Sequence, residues 1–569
     1  MPWLTFHKLD PATKKFHASS YSRSEFLALA IRSAFLMKTS YGVVSTSRVL
    51  HLFTSNTIYD LIARYAHTIL DSIGVTTNWS SDTNEKIVYK ANVTGCSLVI
   101  HDDTISEETL SFLKKKLGDQ VKFFDMSRFE EEGNIEIDTD HTVDMIEPVS
   151  GERTRFIIFT SGTTGDPKGV RLTYDNYKTT ANTFRSFLLP PQEDSDDRDF
   201  TAIVVNPMHH TNSTSITDWA VRDEKSRLHL FSQYSTNFWA EIDEIIRSTP
   251  RSTAVIAPLV SRHIDFLSSL SESTPSCLPS TMKESLTRTI LLLGSAPVGP
   301  KTIENLQKYA GTLPTVRFGS TETTLQVCGT PVNSTTVADY EMGWNHTYKS
   351  IPSPGYYIGR AHEPFTEIEV VESVDRNSIN FLKKCKRGVP GKLVCSGGNV
   401  MAGYVNASTE DALVDDHFGK TVYLNLGDVC FWLDGADGEE RNFYWMSRDS
   451  SMLIRGGANY SYSQIEIELV KLFNSAYPDI HNFSLAVVGL RLKSEHEDEC
   501  CVTIELSDAI DEAEVESSFM EKVGKHASKG ARPDMVRFAK IGKNFKGAVL
   551  TKELKQDCEE WATKAAKAK

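Results

Sequence analysis

The stretch Thr160-Ser161-Gly162-Thr163-Thr164-Gly165-Asp166-Pro167-Lys168-Gly169 is the strongest local signal in this 569-residue sequence. It follows an apolar, strand-like run at 155–159 and precedes a predicted helix that begins near Thr173 or Asp175. Glycines let the backbone turn tightly, so that its N–H groups converge on an anion, while the hydroxyls and the Lys168 ammonium add further donors. We therefore predict a phosphate-binding loop. It is not a Walker A loop, because Pro167 stands where that pattern requires glycine.

Strand-like apolar runs alternate with helix-like segments on both sides of this loop, at 97–100, 156–160, 202–205, 252–257 and 289–293. Such alternation predicts the α/β class, with parallel-rich sheets covered by helices. The polar stretches at 190–199 and 268–280 are predicted to be surface loops.

The end of the chain has a different pattern. Short strands are predicted at 483–489 and 500–506, and the segment 509–526 is acidic at its start and basic at its end, which suits a helix and its dipole. We expect a large domain at 1–449 and a small, mobile α+β domain at 450–569.

Composition narrows the class of protein. Hydrophobic residues make up 40% of the chain and aromatic residues 10%, enough for a packed core. The net charge of −14 argues against nucleic acid as a partner of the whole protein. The nine cysteines are scattered, odd in number and without a CxxC pair, which argues against a disulfide framework or a zinc site and favours the cytoplasm. The apolar run 26–37 contains Arg32 and is too short for a transmembrane segment.

Further motifs follow the loop in a fixed order. They are Asn206-Pro207-Met208-His209-His210-Thr211-Asn212, Gly294-Ser295-Ala296-Pro297, Phe318-Gly319-Ser320-Thr321-Glu322-Thr323, Ser396-Gly397-Gly398-Asn399-Val400-Met401-Ala402-Gly403-Tyr404, Leu426-Gly427-Asp428, Arg448, Gly456-Gly457-Ala458-Asn459 and Gln464-Ile465-Glu466. Their order and spacing resemble the acyl-adenylate-forming (AMP-binding) enzymes, which include acyl-CoA synthetases, peptide-synthetase adenylation domains and firefly-type luciferases. The resemblance runs from about residue 97 to residue 554.

The resemblance implies a site for ATP and Mg²⁺. Its catalytic and metal residues would be His210 beside the substrate carboxylate, Thr321 on the α-phosphate and Glu322 on Mg²⁺, which suits a carboxylate. The nucleotide would contact Thr160, Ser161, Gly162, Thr163, Thr164, Gly165, Lys168, Gly294, Ala296, Phe318, Gly319, Asp428 and Arg448. An aromatic ring such as Phe318 suits adenine stacking, and a carboxylate such as Asp428 suits the ribose diol. Gly456 and Gly457 would open a channel for a pantetheine thiol.

Three positions depart from the family pattern. Ser447 precedes Arg448 where the family has glycine, and Ser450 stands at the usual hinge position. Ala548 stands where the family carries its catalytic lysine, whereas Lys546 lies two residues earlier. Side chains two apart in an extended segment share one side, so Lys546 is predicted to replace that lysine. Lys543, Lys552 and an inactive small domain are the alternatives.

The function that the resemblance implies is ATP-dependent conversion of a carboxylic acid into an acyl-adenylate, with transfer to a thiol. CoA is the simplest acceptor, and a basic C-terminal region suits its phosphates. A carrier protein or an amine is the alternative acceptor. The alternative functions are those of a non-catalytic nucleotide-binding relative and of a luciferase-like oxygenase. The segment 208–219 is rich in His, Thr, Asn and Ser, which favours a small or polar acid. Asp218 and Arg222 are expected on the surface of a helix, and charges in the acid pocket are the alternative.

Overall fold

The computed structural model describes residues 2–80, 82–129, 150–160, 167–190, 198–295, 297–332, 334–414, 421–424, 427–435, 438, 440–448, 452–455, 458–490, 492, 498–506, 512–528, 530–544 and 547–567. The chain folds as two compact units. The first comprises Met1–Thr336, Ile358–Ile368 and Cys395–Leu424, and the second comprises Val337–Tyr357, Glu369–Val394 and Asn425–Lys569.

The strands are β1 Leu4–Leu9, β2 Phe16–Tyr21, β3 Arg48–Leu52, β4 Ile73–Thr76, β5 Leu98–His101, β6 Lys122–Asp125, β7 Thr154–Thr160, β8 Lys168–Thr173, β9 Phe200–Val204, β10 Ser226–Phe231, β11 Ala254–Leu259, β12 Thr289–Leu293, β13 Thr315–Phe318, β14 Cys328–Gly329, β15 Thr347–Tyr348, β16 Ile351–Pro352, β17 Tyr356–Ala361, β18 Thr366–Val371, β19 Gly391–Gly397, β20 Leu413–Val414, β21 Val422–Tyr423, β22 Asp428–Asp434, β23 Arg441–Arg448, β24 Met452–Arg455, β25 Ala458–Ser461, β26 Phe483–Leu490, β27 Glu499–Leu506 and β28 Met535–Phe538.

The helices are α1 Arg23–Thr39, α2 Ile58–Leu70, α3 Asn84–Thr94, α4 Glu107–Leu117, α5 Tyr174–Leu188, α6 Thr211–Arg222, α7 Phe238–Ser248, α8 Ser261–Ser273, α9 Met282–Thr287, α10 Pro300–Asn305, α11 Val337–Trp344, α12 Tyr462–Ala476, α13 Glu512–Phe519 and α14 Thr551–Lys567. No helix in the described part of the chain has the length and apolar character needed to cross a membrane.

The first unit contains two parallel-rich sheets. One has the order β6-β5-β3-β4-β7-β8, in which only the β7–β8 pair is antiparallel. In the other, β1, β10, β9, β11, β12 and β13 run parallel, with β2 and β14 antiparallel at the flanks. The inner strands of both sheets, such as β4, β5, β9 and β11, are buried on both faces, as expected for sheets covered by helices, whereas the flanking strand β2 is largely exposed. The predicted α/β class is confirmed.

The parallel strands β9, β11, β12 and β13 bring their carboxyl ends to one edge of the second sheet. In open α/β sheets, ligands bind outside the carboxyl ends of the strands. The residues that follow these strands include three of the predicted motifs, which begin at Asn206, Gly294 and Phe318.

Helix starts and ends follow from local hydrogen bonds. Thr173 caps α5, because its hydroxyl accepts from the Asn176 N–H while the Asn176 side chain accepts from the Thr173 N–H. The predicted loop at 268–280 begins only after Ser273, so its first part was wrong. In this part of α8, Ser271 and Ser273 donate to the carbonyls of Leu267 and Ser269, which satisfies the hydroxyls without breaking the helix.

The second unit ends in a three-stranded sheet, β26-β27-β28, in which β26 and β27 are antiparallel and β28 is parallel to β27. The described buried residues of its core lie between Leu453 and Ala562, and Phe473 and Phe519 are fully buried. The predicted α+β character of this region is confirmed. The predicted boundary at 449/450 lies within the second unit and stays a prediction about which segment moves.

Candidate active site

The glycine-rich loop (Thr160–Gly169) joins two antiparallel strands, since Thr160 pairs with Lys168 in the β7–β8 register. The strand β8 therefore separates the loop from helix α5, an element that the sequence pattern did not predict. Ser161, Gly162, Thr163, Thr164 and Gly165 lie outside the described residues. Their predicted contacts with phosphates stay predictions.

Asn406 fastens the second arm of this loop. Its Oδ1 accepts from the Gly169 N–H at 2.9 Å, and its Nδ2 donates to the Pro167 carbonyl at 2.9 Å and to the Tyr89 hydroxyl at 2.7 Å. The neighbouring Val405 N–H donates to the Gly169 carbonyl at 2.8 Å. One amide side chain thus bonds to the backbone on both sides of Lys168, which limits how far the loop arm can move.

Tyr404 connects the loop to the predicted metal ligand. The Lys168 Nζ lies 5.2 Å from the centre of the Tyr404 ring, and the Tyr404 hydroxyl donates to Glu322 Oε1 at 3.1 Å. Burial, and then the charge of Glu322, raise the pKa of the Tyr404 phenol well above its usual value. The same two causes raise the pKa of Tyr423. Both phenols remain protonated at neutral pH, and Tyr404 is a donor to the carboxylate.

The turn that carries Thr321 and Glu322 is held by a close backbone contact at Gly319 and by the side chain of Asn399. Residues Thr321–Thr323 form a 3-10 turn directly after β13 and Gly319. A Cβ at Gly319 would lie 2.2 Å from the Leu325 carbonyl oxygen, so only glycine fits there. Asn399 Nδ2 donates to the carbonyls of Thr323 and Gln326 at 3.0 and 2.7 Å.

Gly294 and Arg317 lie side by side where β12 and β13 end. The pairs Leu292–Thr315 and Leu293–Val316 set this register. Ser295 adopts a positive φ of 69°, and Ala296 lies outside the described residues. Arg317 is 4% exposed, and its Nε and Nη2 have no hydrogen-bond partner among the described residues. Burial lowers the pKa of Arg317 to about 9.

The His209–His210 segment is anchored by a buried asparagine. Asn56 Nδ2 donates to the Asn206 carbonyl at 3.0 Å, and Asn56 Oδ1 accepts from the Met208 N–H at 2.8 Å. His210 occupies the N-cap position of α6 without a side-chain capping bond. His209 lies against Trp79, with ring centres 4.2 Å apart. The predicted role of His210 beside a carboxylate stays a prediction.

The hydroxyls of α6 are occupied within the fold. Ser213 donates to the Asn206 carbonyl at 2.7 Å, Thr217 to the Ser213 carbonyl at 2.7 Å, and Ser215 to the Thr324 carbonyl at 3.2 Å. The serine and threonine content of this segment is therefore explained by packing and is no evidence for a polar acid.

Asp218 corrects another expectation. It is buried, and its Oδ1 lies 2.5 Å from Nη1 of the buried Arg155, whereas we expected it on the surface. Arg222 lies 4.0 Å from the same oxygen and is partly covered. Both residues belong to an internal charge cluster, because α6 is buried between neighbouring elements along nearly its whole length.

The two predicted ribose residues come together in the second unit. Asp428 begins β22 and pairs across the sheet with Arg448, the last residue of β23. Asp428 is 2% exposed, and its Oδ1 accepts from the Trp445 indole N–H at 2.7 Å. The indole fixes the orientation of the carboxylate, a group whose oxygens can accept from hydroxyls. The contacts of these residues with a nucleotide stay predictions.

Hydrogen bonds join the described residues on either side of the predicted catalytic lysine. The Asn544 N–H donates to the Ala548 carbonyl at 2.9 Å, and the Gly547 N–H donates to the Asn544 carbonyl at 2.8 Å. Residues 545 and 546 lie outside the described residues, so the extended segment expected here stays a prediction. Lys546 itself, like Gly456 and Gly457, lies outside the described residues. Its role stays a prediction.

Three residues of the site were missed by the sequence reasoning. Tyr404 ends the motif at 396–404, to which the sequence assigned no role in the site. Asn406 follows it by two residues. Arg317 is a charged residue inside the apolar strand β13, directly before the predicted adenine contact Phe318. That contrast in polarity was the available signal, whereas nothing local revealed the partners of Tyr404 and Asn406.

Comparison with known proteins agrees with this geometry. The sequence profile described as AMP-binding enzyme matches residues 7–405. The 2-succinylbenzoate–CoA ligase of Bacillus mycoides (strain KBAB4) is 28% identical over 322 residues, which is 56% of this chain and 55% of that protein. The chain thus spans about half the length of the curated relatives that it matches.

Solved structures share the fold over almost the whole chain. MatB from Rhodopseudomonas palustris with ATP bound has a TM-score of 0.71 at 19% identity, covering 98% of this chain and 96% of that one. The o-succinylbenzoate CoA synthetase (MenE) of Bacillus subtilis, in complex with its acyl-adenylate intermediate, has a TM-score of 0.70 at 18% identity and covers 97% and 95%. Because the family profile covers most of the sequence, and its motifs follow the strand ends described above, the chain belongs to the AMP-binding enzyme family.

Proposed function

We propose that this protein is an acid–thiol ligase that activates a carboxylic acid with ATP. A carboxylate oxygen attacks the α-phosphorus of ATP, the bond to the bridging oxygen breaks, and pyrophosphate leaves. The thiol of CoA then attacks the acyl carbon of the adenylate, and AMP leaves. The related ligase of B. mycoides and the B. subtilis synthetase are named for this type of reaction, which supports the proposal.

One observation carries the proposal: Tyr404 joins Lys168 of the glycine-rich loop to Glu322. The Lys168 ammonium and the Glu322 carboxylate both contact Tyr404. A triphosphate bound by Lys168 would therefore lie close to the Glu322 carboxylate. Phosphoryl-type chemistry depends mainly on such positioning and on neutralisation of charge. In this proposal Thr321 donates to the α-phosphate, and Asp428 and Arg448 hold the ribose.

The residues fit a nucleotide-bound Mg²⁺. Among the described residues, no group of three or more His, Cys, Asp or Glu side chains could form a complete metal cage. Magnesium usually takes one or two carboxylates and completes its shell with phosphates and water, so Glu322 is sufficient as a protein ligand. The bound ion would supply charge neutralisation on the phosphates. The Tyr404 hydroxyl would fix the carboxylate that holds it.

The alternatives differ in the second step. A carrier protein or an amine would replace CoA as acceptor, and a luciferase-like oxygenase would use the same adenylate. A non-catalytic relative would bind ATP without exchange.

All nine cysteines are free thiols, eight of them buried, which supports the proposal of a reducing, cytoplasmic setting.

ATP–pyrophosphate exchange with the full chain, measured across a panel of carboxylic acids, tests the first step. We expect acid-dependent exchange that requires Mg²⁺, followed by formation of an acyl-CoA when CoA is added. Exchange without acyl transfer to CoA would direct the search to a carrier protein or an amine. ATP binding without exchange for any acid would contradict the proposal and favour the non-catalytic alternative.

A further inference from the structure

Arg317 is a buried cation to which the described residues supply no counter-charge. Its side chain is 4% exposed, and among the described residues it forms no ion pair, while Nε and Nη2 lack hydrogen-bond partners. Burial alone accounts for the lowered pKa, which still leaves the guanidinium charged at neutral pH. Buried charges in proteins are normally paired, because an unpaired ion costs several kcal/mol to remove from water.

Other buried arginines of the first unit show how this protein treats such groups. Arg155 is paired with Asp218 at 2.5 Å, and Arg64 is paired with Asp60 at 2.9 Å. The fold thus supplies an acidic partner to these two cations and none of the described residues to Arg317. A missing partner at one position points to a ligand that brings the negative charge.

The guanidinium lies at the edge of the sheet where the proposed site is. A Cβ placed on Gly294 would lie 3.0 Å from Arg317 Cγ and 3.1 Å from Cζ, so the arginine packs flat against this glycine. The next residues of the same strand lead to Phe318 and to the turn with Glu322. The guanidinium therefore lies beside the ends of β12 and β13. In sequence, Arg317 precedes Thr321, the residue assigned to the α-phosphate, by four positions.

We propose that Arg317 binds a second anionic group on the substrate, and that the preferred acids are dicarboxylates. This inference rests on the proposed function, since it names the class of acid which that site activates. One carboxylate is adenylated, and the other is held by the planar, two-pronged guanidinium, which matches the two oxygens of a carboxylate. The ATP phosphates are assigned to the glycine-rich loop, on a different sheet.

Matched pairs of acids test this directly. Malonate, succinate, glutarate and phthalate are each compared with their monomethyl esters in ATP–pyrophosphate exchange, because the ester keeps the size and removes one charge. We expect at least one dicarboxylate to have a kcat/KM about 100-fold or more above its ester, the scale expected when a buried charge loses its partner. The KM for ATP should not differ within a pair.

Two variants separate recognition from structural support. Arg317→Met keeps the length of the side chain and should remove the preference for the dicarboxylate, whereas Arg317→Lys should retain part of it. Replacing an unpaired buried ion by an apolar group is often neutral or stabilising, so Arg317→Met should melt no lower than the wild type without acid. Added dicarboxylate should raise the melting temperature of the wild type and not that of Arg317→Met.

The outcomes distinguish this inference from the proposed function. Exchange with any acid supports the proposed function. Equal exchange with the acids and their esters, or an unchanged preference in Arg317→Met, overturns the role of Arg317 alone. A lower melting temperature for Arg317→Met would assign the arginine to the fold and also overturn it. No exchange with any acid would overturn both.

Discussion

At the scale of single residues, the side-chain amide of Asn406 restrains the second arm of the glycine-rich loop. It bonds to the N–H of Gly169 and to the carbonyl of Pro167, and so restrains the backbone on both sides of Lys168. Gly169 and Pro167 are 237 and 239 residues away in sequence, so this restraint exists only in the folded chain.

Asn406→Ala should raise the KM for ATP about tenfold, with a smaller change in kcat, because the lost bonds position the loop before chemistry begins. Steady-state exchange at varied ATP checks this. Asn442→Ala is the matched control, since Asn442 bonds to Asp339 and Tyr357 in the second unit. An equal rise in KM for both variants would contradict this role of Asn406.

Tyr404→Phe removes one hydroxyl, the donor to Glu322. A hydrogen bond to a charged group contributes about 1.5–3 kcal/mol, so the Mg²⁺ concentration for half-maximal exchange should rise about tenfold. Tyr177→Phe is the control, because the buried Tyr177 hydroxyl has no partner among the described residues. The raised pKa of Tyr404 means that this donor is retained well into alkaline pH. The hypothesis fails if both variants need the same Mg²⁺ as the wild type.

At the scale of elements, strand ends decide where the site is, and backbone fit decides how the turns close. Gly319 separates β13 from the turn with Thr321, and a Cβ there would meet the backbone of Leu325 and Gln326 at 2.2 and 2.6 Å. Backbone atoms cannot move aside as the end of a side chain can.

Gly319→Ala should therefore lower the free energy of unfolding by about 2–3 kcal/mol, the scale of overpacking, and should abolish exchange. Urea unfolding provides the measurement. Gly542→Ala is the control, since the nearest atom to a Cβ there is a leucine methyl at 3.7 Å. Unchanged stability in Gly319→Ala would mean that the turn can close in another way.

Helix α12 carries a carboxyl group, that of Glu466, whose pKa is raised. Glu466 accepts from the Val487 N–H at 2.9 Å, and burial raises its pKa from 4.5 to about 7. Between pH 4.5 and 7 the folded chain holds this proton while the unfolded chain releases it. The contribution of Glu466 to stability is therefore fully present below pH 4.5 and is lost as pH rises through about 7.

Relative to Glu466→Gln, the wild type should lose free energy of unfolding as pH rises from 4.5 to 7, with no further change above that range. Urea unfolding of both proteins at several pH values measures the difference. The exposed Glu516→Gln is the control, because its carboxyl meets water in either state. A pH-independent difference for Glu466→Gln would contradict the raised pKa.

At the scale of the whole molecule, the predicted functional residues are divided between two compact units. The glycine-rich loop and Glu322 belong to the first unit, whereas Asp428, Arg448 and the lysines near the C-terminus belong to the second. The second unit has its own core, so its substitutions can change chemistry without loosening the first.

Lys546→Ala should lower the rate of exchange by about 100-fold or more while the dissociation constant for ATP stays nearly the same, since a positioned cation acts mainly in the transition state. Lys543→Ala and Lys552→Ala are the comparisons. Lys543 already donates to Ser484 at 2.7 Å and Lys552 is exposed, so we expect small effects. The lysine that causes the large loss is the catalytic one, and an unchanged rate in Lys546→Ala removes it from the mechanism.

The sequence by itself determined the α/β class, the strand at 289–293, the start of α5 near Thr173 and the order of the family motifs. These depend on periodicity, capping and turn residues, which act over a few positions. Only the tertiary structure decided that Tyr404 contacts Glu322, that Asn406 holds the loop, that the α6 hydroxyls are occupied and that Arg317 is buried with no ion-pair partner in the described part of the chain. The folded chain brings residues 239 and 317 positions apart into contact, as at Asn406, and no local pattern encodes such distances.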